Sequence, residues 1–199
     1  MAILKIEKYG FDGLREKAKE VVKVSKKIST LIENMVDTMY ANNGVGLAAP
    51  QVGQNLRIFV IDATDPDDPP DPIIFINPKI IKKSGAVNSL EGCLSFPDMY
   101  TNVRRYADVT VKATNYDGKP FVIEAKDGDL LSRCIQHEFD HLDGVLFVDH
   151  SRNVIEASTL LAQHGLPNLD ESKLVKEDEL EREILTNITS PQKKDGNAN

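Results

Sequence analysis

The sequence Gln136-His137-Glu138-Phe139-Asp140-His141 contains the pattern H-E-x-x-H and lies near the end of a stretch with helical periodicity. On a helix, His137 and His141 lie one turn apart on the same face, so their imidazoles can bind one metal ion. Glu138 is placed to accept a proton from a water on that ion. The helical period is carried by apolar residues at Leu130, Leu131, Cys134, Ile135, Phe139 and Leu142.

The ends of this helix are also indicated by the sequence. Asp127 or Asp129 can cap its first turn, and Gly144 can end it in a left-handed conformation. The alternative interpretation is a helix with two unrelated histidines and a solvent-facing glutamate. We favour a metal-binding helix, because two further motifs point to the same site.

A third metal ligand is available from one of the two cysteines, Cys93 and Cys134. Cys134 precedes His141 by seven residues on the same predicted helix, or about 10 Å along its axis. A metal ion that both imidazoles bind at ~2 Å would then lie roughly one helical turn too far from the Cys134 thiol. Cys93 lies in the separate segment Leu90-Glu91-Gly92-Cys93-Leu94-Ser95 and can approach freely. We therefore predict Cys93 as the ligand, although a buried, inert thiol is the alternative.

The segment from Gly44 to Gly53 is crowded with small residues around one polar side chain, Gln51. Glycine permits a ligand to approach the backbone closely, and a tight turn is the alternative reading. The segment lacks the spacing and the lysine of a phosphate-binding loop, which argues against nucleotide binding.

Length and composition predict one globular domain with an appendage, since the chain has 199 residues, 41% hydrophobic and 28% charged. No apolar run reaches ~18 residues, so we predict no membrane span. The N-terminus carries neither a signal core nor an acid-poor transit segment, and we predict a cytoplasmic location. The net charge of −7 argues against nucleic acid as the main partner.

Periodicity along the chain predicts antiparallel strands followed by a core helix, which indicates an α+β fold. Asn115-Tyr116-Asp117-Gly118 is typical of the turn in a β-hairpin. Asn77-Pro78 indicates a bulge or an edge position within its strand. Helices are predicted over 25–41 and 151–163, and strands over 56–61, 73–81, 107–114 and 121–125.

Three motifs together, Gly44–Gln51, Glu91–Ser95 and His137–His141, resemble in order and spacing the signature motifs of the peptide deformylase family. The resemblance runs from about Tyr9 to His150. It implies an α+β fold in which antiparallel β-sheets pack around a central metal-binding helix. It also implies removal of the formyl group from N-formylmethionine on newly made polypeptides, with release of formate.

Particular roles follow from the resemblance. It implies Cys93, His137 and His141 as metal ligands and Glu138 as the acid/base. It further implies Gln51 and the backbone N–H of Leu94 as donors to the oxyanion. One divalent ion is expected, most commonly Fe²⁺ in this family, while a Cys/His/His set also suits Zn²⁺, Ni²⁺ or Co²⁺.

Substrate contacts are predicted from residues beside the motifs. Crowding at Gly44 and Gly46 suits a small acyl group, and we expect Val45, Leu130 and Cys134 to line an apolar pocket for the methionine side chain. The sequence Phe96-Pro97-Asp98-Met99-Tyr100 departs from many relatives, which have a glycine after the proline or an arginine at position 100.

Two other functions compete with this interpretation. A zinc peptidase also uses H-E-x-x-H, usually with a downstream third ligand such as Glu156. A non-catalytic metal-binding protein would need a fourth protein ligand, for which His150 and Asp140 are the candidates. Cys93 within its motif, together with Gln51 and Glu138, favours the deformylase.

The chain is divided by composition near Pro167. We predict a catalytic domain over residues 1–166 and an acidic extension over 167–199, helical over 171–185 and disordered afterwards. Residues 167–199 carry eight acidic and five basic side chains, so we predict that the extension is not an RNA anchor, even near a ribosome. The oligomeric state is not indicated by the sequence.

Overall fold

A computed structural model describes residues 2–151 and 153–175. The helices are α1 (Lys26–Ala41), α2 (Leu130–Leu142) and α3 (Val154–Gln163), with 3-10 turns at Asp12–Arg15, Ala49–Val52, Phe147–His150 and Glu171–Lys173. The strands are β1 (Gly46–Ala48), β2 (Ile58–Ile61), β3 (Ile73–Ser84), β4 (Val87–Cys93), β5 (Phe96–Arg105), β6 (Asp108–Thr114) and β7 (Pro120–Ala125).

All strand pairs are antiparallel, and they form two sheets. The larger sheet has the order β1-β2-β3-β6-β7, and β4 pairs with β5 in a separate two-stranded sheet. The predicted hairpin between β6 and β7 is confirmed, with Val111 opposite Ile123. Antiparallel sheets with a few helices agree with the predicted α+β class.

Helix α1 confirms the predicted helix over 25–41. Ser25 caps it, since the Ser25 hydroxyl accepts a hydrogen bond from the N–H of Ile28. Its buried face, including Met35 and Met39, packs on Ile58 and Val60 of β2.

Strand β2 is buried on both faces and separates two parts of the core. Ile58 and Val60 point toward α1, whereas Phe59 and Ile61 join the cluster that contains Ile135 of α2. This placement follows from the two-residue repeat of a strand. Helix α2 therefore packs against β1 and β2 on the face opposite α1.

The predicted irregularity at Asn77-Pro78 is confirmed as a shift in the β3–β6 register between Ile76 and Lys79. Asn77 adopts a left-handed conformation with φ 50°. Its side chain bonds the backbone of Val21 in both directions, at 2.8 Å each. The bulge thus ties the N-terminal segment to the sheet.

Three strands were not predicted: β1, β4 and β5. Strand β1 has only three residues and lies in the segment of small residues interpreted as a turn or a ligand contact. In β4 and β5 many side chains are polar and exposed, which hides the alternation. In the described part of the predicted 171–185 helix there is one 3-10 turn, and residues 176–199 lie outside the described residues.

A third core cluster joins β5 to α3 and to the end of the described chain. Phe96, Met99 and Val103 of β5 pack here with Phe147 and Leu161. Part of the predicted extension contacts the same cluster, since Leu169 is buried in it and Leu174 packs against it. Within the described residues, no helix combines the length and apolar character needed to cross a membrane.

Candidate metal centre and active site

Helix α2 presents the H-E-x-x-H residues on a rigid element whose ends are fixed. The Asp129 carboxylate accepts a hydrogen bond from the N–H of Ser132 at 2.6 Å, so Asp129 is the N-cap. Gly144 follows the helix with φ 72°, and a Cβ there would lie 2.4 Å from the carbonyl oxygen of Arg15. Only glycine satisfies both the left-handed backbone and this close approach.

Cys93 reaches the helix from the end of β4, where the β4–β5 register shifts after Gly92. Its Sγ lies 3.3 Å from Nε2 of His141. The ligand atoms of Cys93, His137 and His141 all lie within 4.8 Å of one another. Within residues 2–151 and 153–175, no other group of His, Cys, Asp and Glu side chains converges in this way.

The donor set fits a divalent transition metal, because a thiolate and two imidazoles are typical ligands for such ions. The orientation of the imidazoles also fits. Nδ1 of His137 is 3.0 Å from Oε2 of Glu91, which leaves its Nε2 for another partner. Two buried atoms beside the site, Nδ1 of His141 and Oε2 of Glu138, have no hydrogen-bond partner among the described residues.

Cys134, the rejected ligand candidate, lies outside the converging group. It is buried next to the site, and burial raises the pKa of its thiol to about 12, with the nearby Glu138 carboxylate adding to this effect. Glu156, the possible third ligand of a peptidase, is an exposed residue of α3 and is not part of the converging group either.

A chain of charged residues supports His137 from behind, and sequence reasoning missed it. Arg105 is buried and makes two 2.9 Å bonds to the Glu91 carboxylate. Its other side bonds Asp140 at 2.5 Å, and Asp140 also lies 2.8 Å from Nε2 of His150. Asp140 and His150, considered above as fourth metal ligands, therefore belong to this network instead.

The electrostatics of the network keep its carboxylates ionised. Burial alone would raise the pKa of Glu91, but the charge and hydrogen bonds of Arg105 outweigh it and lower the pKa to about 2. Burial likewise opposes ionisation of Asp140, and Arg105 and His150 hold its pKa well below the usual range. A fixed negative charge at Glu91 favours the tautomer of His137 with its proton on Nδ1.

Glu138 is buried beside the three candidate ligands, and this burial raises the pKa of its carboxyl to about 7 despite the nearby His137. Its carboxylate fits because residue 46 is glycine: a Cβ on Gly46 would lie 2.4 Å from Oε1. The small residues of the first motif therefore make room for the proposed acid/base.

Gln51 is held in one orientation by three contacts. Its Oε1 accepts the N–H of Ala48 at 2.8 Å. Its Nε2 consequently points toward Ser95 Oγ at 3.3 Å and Cys93 Sγ at 3.4 Å. An amide N–H group is thus presented beside the candidate metal ligands.

A cleft of about 570 Å³ brings the predicted substrate residues together with the candidate site. We call it the substrate cleft. Val45 and Leu130 are partly exposed at its wall, and Leu90 and Tyr100 are more than half exposed at its rim. The remaining predicted residues that line it are Gly44, Gly46, Gln51, Cys93, Leu94, Cys134, His137 and Glu138.

Comparison with known proteins agrees with this geometry. The family model described as polypeptide deformylase matches residues 3–156. A peptide deformylase of Clostridium acetobutylicum is 49% identical over 149 residues, covering 75% of this chain and 95% of the relative. A peptide deformylase of Desulfitobacterium hafniense is 49% identical over 152 residues, covering 76% and 97%.

Solved structures give the same result at the level of the fold. A peptide deformylase from Synechococcus elongatus in complex with actinonin superposes with a TM-score of 0.77 at 41% identity, covering 82% of this chain and 87% of that one. A peptide deformylase from Legionella pneumophila has a TM-score of 0.75 at 38% identity, covering 96% and 100%. The chain belongs to the peptide deformylase family.

Proposed function

We propose that this chain removes the N-formyl group from the formylmethionine of newly made polypeptides and releases formate, using one divalent metal ion. The observation that carries the proposal is the convergence of Cys93, His137 and His141 within 4.8 Å, beside the buried Glu138. In this proposal α2 is the metal-binding helix around which the antiparallel sheets are arranged.

The metal would be held by Cys93, His137 and His141, with Fe²⁺ as the proposed native ion and Zn²⁺, Ni²⁺ or Co²⁺ as substitutes. When bound, such an ion acidifies a water molecule and polarises the formyl carbonyl. Glu91 and Arg105 hold His137 in orientation from behind.

Glu138 accepts a proton from the attacking water and later delivers it to the leaving amine. Its position supports both roles, because the carboxylate is buried at the site and its Oε2 has no hydrogen-bond partner within residues 2–151 and 153–175. A carboxyl whose pKa lies near the working pH can both take and return a proton. The close packing of the Glu138 side chain against Gly46 limits where its carboxylate can lie during the proton transfer.

Negative charge develops on the formyl oxygen as water adds to the formyl carbon. We assign its stabilisation to the Nε2 amide of Gln51 and the backbone N–H of Leu94, two residues that line the substrate cleft. One oriented donor of this kind is typically worth ~3–4 kcal/mol of transition-state stabilisation. Because the N–H of Ala48 donates a hydrogen bond to Gln51 Oε1, the side-chain amide of Gln51 need not reorient during the reaction.

The methionine side chain is assigned to the apolar wall near Val45, Leu130 and Cys134. We assign the formyl group to the crowded segment around Gly44 and Gly46, where a larger acyl group would clash. Tyr100 at the rim is the proposed contact for the peptide beyond its first residue.

The proposal also covers the domain limits, the role of the extension and the location of the protein. Residues 1–166 form the catalytic domain, residues 167–199 form an acidic extension that does not anchor the enzyme to RNA, and the protein acts in the cytoplasm on nascent chains. These statements rest on composition and on family membership.

The test is formate release from a formyl-Met peptide by protein prepared without oxygen and loaded with Fe²⁺. We expect Glu138→Gln to retain metal and lose activity by about 10³-fold or more, because the amide cannot accept the proton. Cleavage of an internal peptide bond without formate would identify a peptidase instead. A Glu138→Gln protein that keeps a tenth of the rate would contradict the acid/base role.

A further inference from the structure

A second large cleft lies on another face of α2, away from the substrate cleft. Its volume is about 830 Å³. It is lined by Gln136, Phe139 and Asp140 of helix α2 and by the C-cap residue Asp143, whereas the substrate cleft is lined by Leu130, Arg133, Cys134, His137 and Glu138. In the proposed function the substrate lies in the substrate cleft, so this second cleft is available to another occupant.

The lining of this cleft is strongly basic in a protein whose net charge is −7. Only Glu20, Asp140 and Asp143 supply carboxylates. We call it the basic cleft, after seven cationic residues: Lys17, Arg57, Lys79, Lys82, Lys83, Arg104 and Arg105.

Some of these charges are neutralised within the protein. Arg105 is bonded to Glu91 and Asp140, and Arg57 is bonded to Asp143 at 2.8 Å. Lys79 and Lys82 project from β3 as exposed side chains and form no ion pair with another described residue. The positive charge available to an incoming group is therefore concentrated along β3.

The floor between these charges is apolar. Ile80, Tyr106 and Phe139 line it, and Ile81 is half exposed at its edge. The guanidinium of Arg57 lies 5.3 Å from the centre of the Phe139 ring. An occupant that suits this cleft carries acidic groups on one side and aliphatic groups on the other.

The described chain ends in this cleft. Val175 lines it, and the N–H of Val175 bonds the carbonyl of Asp149 at 2.9 Å. One residue earlier, Leu174 packs against the cluster formed by β5 and α3. The next residues of the sequence therefore start at the mouth of the basic cleft.

Those next ten residues have the composition that the cleft requires. Residues 176–185 read Lys-Glu-Asp-Glu-Leu-Glu-Arg-Glu-Ile-Leu, with five acidic and two basic side chains. Leu180 and Ile184 are four residues apart, so they share one side of a helical conformation. Acidic side chains at Glu177, Glu181 and neighbouring positions would remain free to meet lysines.

We propose that residues 176–185 of this same chain occupy the basic cleft, with their carboxylates on Lys79 and Lys82 and their apolar residues on Ile80 and Phe139. The span is adequate, since ten residues cover about 15 Å as a helix. The acidic extension thereby has a specific docking surface, which lies next to Asp140 and His150 on the far side of the candidate metal helix. The inference does not depend on the proposed function.

The first experiment uses the absence of tryptophan from the sequence. A Leu180→Trp variant of the full chain carries a single tryptophan within the proposed docked segment. We expect its emission to be shifted to the blue and its quenching by acrylamide to be severalfold weaker than that of a Gln192→Trp control. Equal quenching of the two variants in low salt would overturn the proposal.

Charge reversal in the cleft identifies the surface. Adding Lys79→Glu and Lys82→Glu to the Leu180→Trp chain should raise acrylamide quenching to the level of the control. Lys23→Glu and Lys27→Glu change the net charge equally at exposed residues outside both clefts, and they should have no effect. An equal response to both pairs would show a general charge effect and refute the cleft assignment.

Cross-linking distinguishes the possible occupants. A water-soluble carbodiimide joins a carboxylate to a lysine amine as an amide with loss of water. We expect links within one chain from residues 177–183 to Lys79, Lys82 or Lys83. Links between two chains, or links mainly to lysines elsewhere, would overturn docking in the same chain. If a short RNA at stoichiometric concentration raised the acrylamide quenching of Leu180→Trp to the level of the control, the cleft would instead be assigned to nucleic acid.

Discussion

Replacing Gly46 with alanine tests whether the position of the Glu138 carboxylate matters to the reaction. Gly46 lies in β1, and its backbone conformation is open to other residues. A Cβ there would lie 2.4 Å from Oε1, 2.9 Å from Cδ and 3.0 Å from Cγ of Glu138. An ordinary contact begins near 3.4 Å, so the carboxylate must move by about 1 Å.

The cost of this movement should fall on the rate rather than on folding. The obstructed atoms are the end of a flexible side chain, so we expect the free energy of unfolding to change by less than about 1 kcal/mol. A misplacement of about 1 Å in a reacting group typically costs about 10²-fold, or ~2.7 kcal/mol in barrier. We therefore predict a folded Gly46→Ala protein that binds metal and is slower by about 10²-fold.

The assay combines three measurements on one preparation: metal content, thermal unfolding and kcat for formate release. Gly46→Ala is compared with Glu138→Gln and with the double variant. Because both changes act on the same group, the double variant should be no slower than Glu138→Gln alone. Full activity in Gly46→Ala, or losses that multiply in the double variant, would refute the reasoning that Gly46 makes room for a working carboxylate.

Three further predictions address the metal, the core and the chain end. Cys93→Ala should lose metal by elemental analysis while Cys134→Ala keeps it, and the reverse order would overturn the ligand assignment. The pKa of Asp62 is lowered because hydrogen bonds from Thr64 and Tyr40 outweigh its burial, so its contribution to stability is present above pH ~3.9 and lost as the pH falls further. Asp62→Asn should accordingly flatten the fall in denaturation midpoint below about pH 4, and an unchanged acid profile would contradict this. Truncation after Gly165 removes the buried Leu169 and should lower the free energy of unfolding by at least about 2 kcal/mol. Truncation after Val175 should lower it by less. Both truncated proteins should retain the rate on short peptides within about threefold.

The parts of the structure that the sequence predicted well are those with a strong local period or a fixed local signal. Helices α1 and α2 have apolar residues every three or four positions and capping residues at their starts. The hairpin of β6 and β7 alternates cleanly around the Asn115-Gly118 turn. Local information is sufficient in these elements because the same residues that form them also bury their apolar face.

Strands β4 and β5 were missed for a physical reason. They form a sheet of only two strands with many exposed polar side chains, so neither strand shows an unbroken row of buried apolar residues. Their pairing is determined by contacts with the rest of the fold, including the Phe96 cluster. Sequence periodicity carries little of that information.

The candidate site divides in the same way. Cys93, His137 and His141 could be proposed from residue type and reach, and the structure brings them together. Arg105 could not be identified, because it is one arginine among several until the fold brings its side chain within hydrogen-bond distance of Glu91 and Asp140. Glu91 was quoted within its motif, but its bond to His137 depends on the long-range placement of β4 beside α2.

The origin of the three candidate ligands also has a consequence for folding. Cys93 belongs to the two-stranded sheet, whereas His137 and His141 belong to a helix that packs on the five-stranded sheet. An ion bound by all three would close a long loop of the chain and join two substructures that share no strand pairing. Removal of the ion by an added chelator should therefore weaken the cooperativity of unfolding. Amide hydrogens of β4 and β5 should then exchange with solvent earlier than those of β2 and β3.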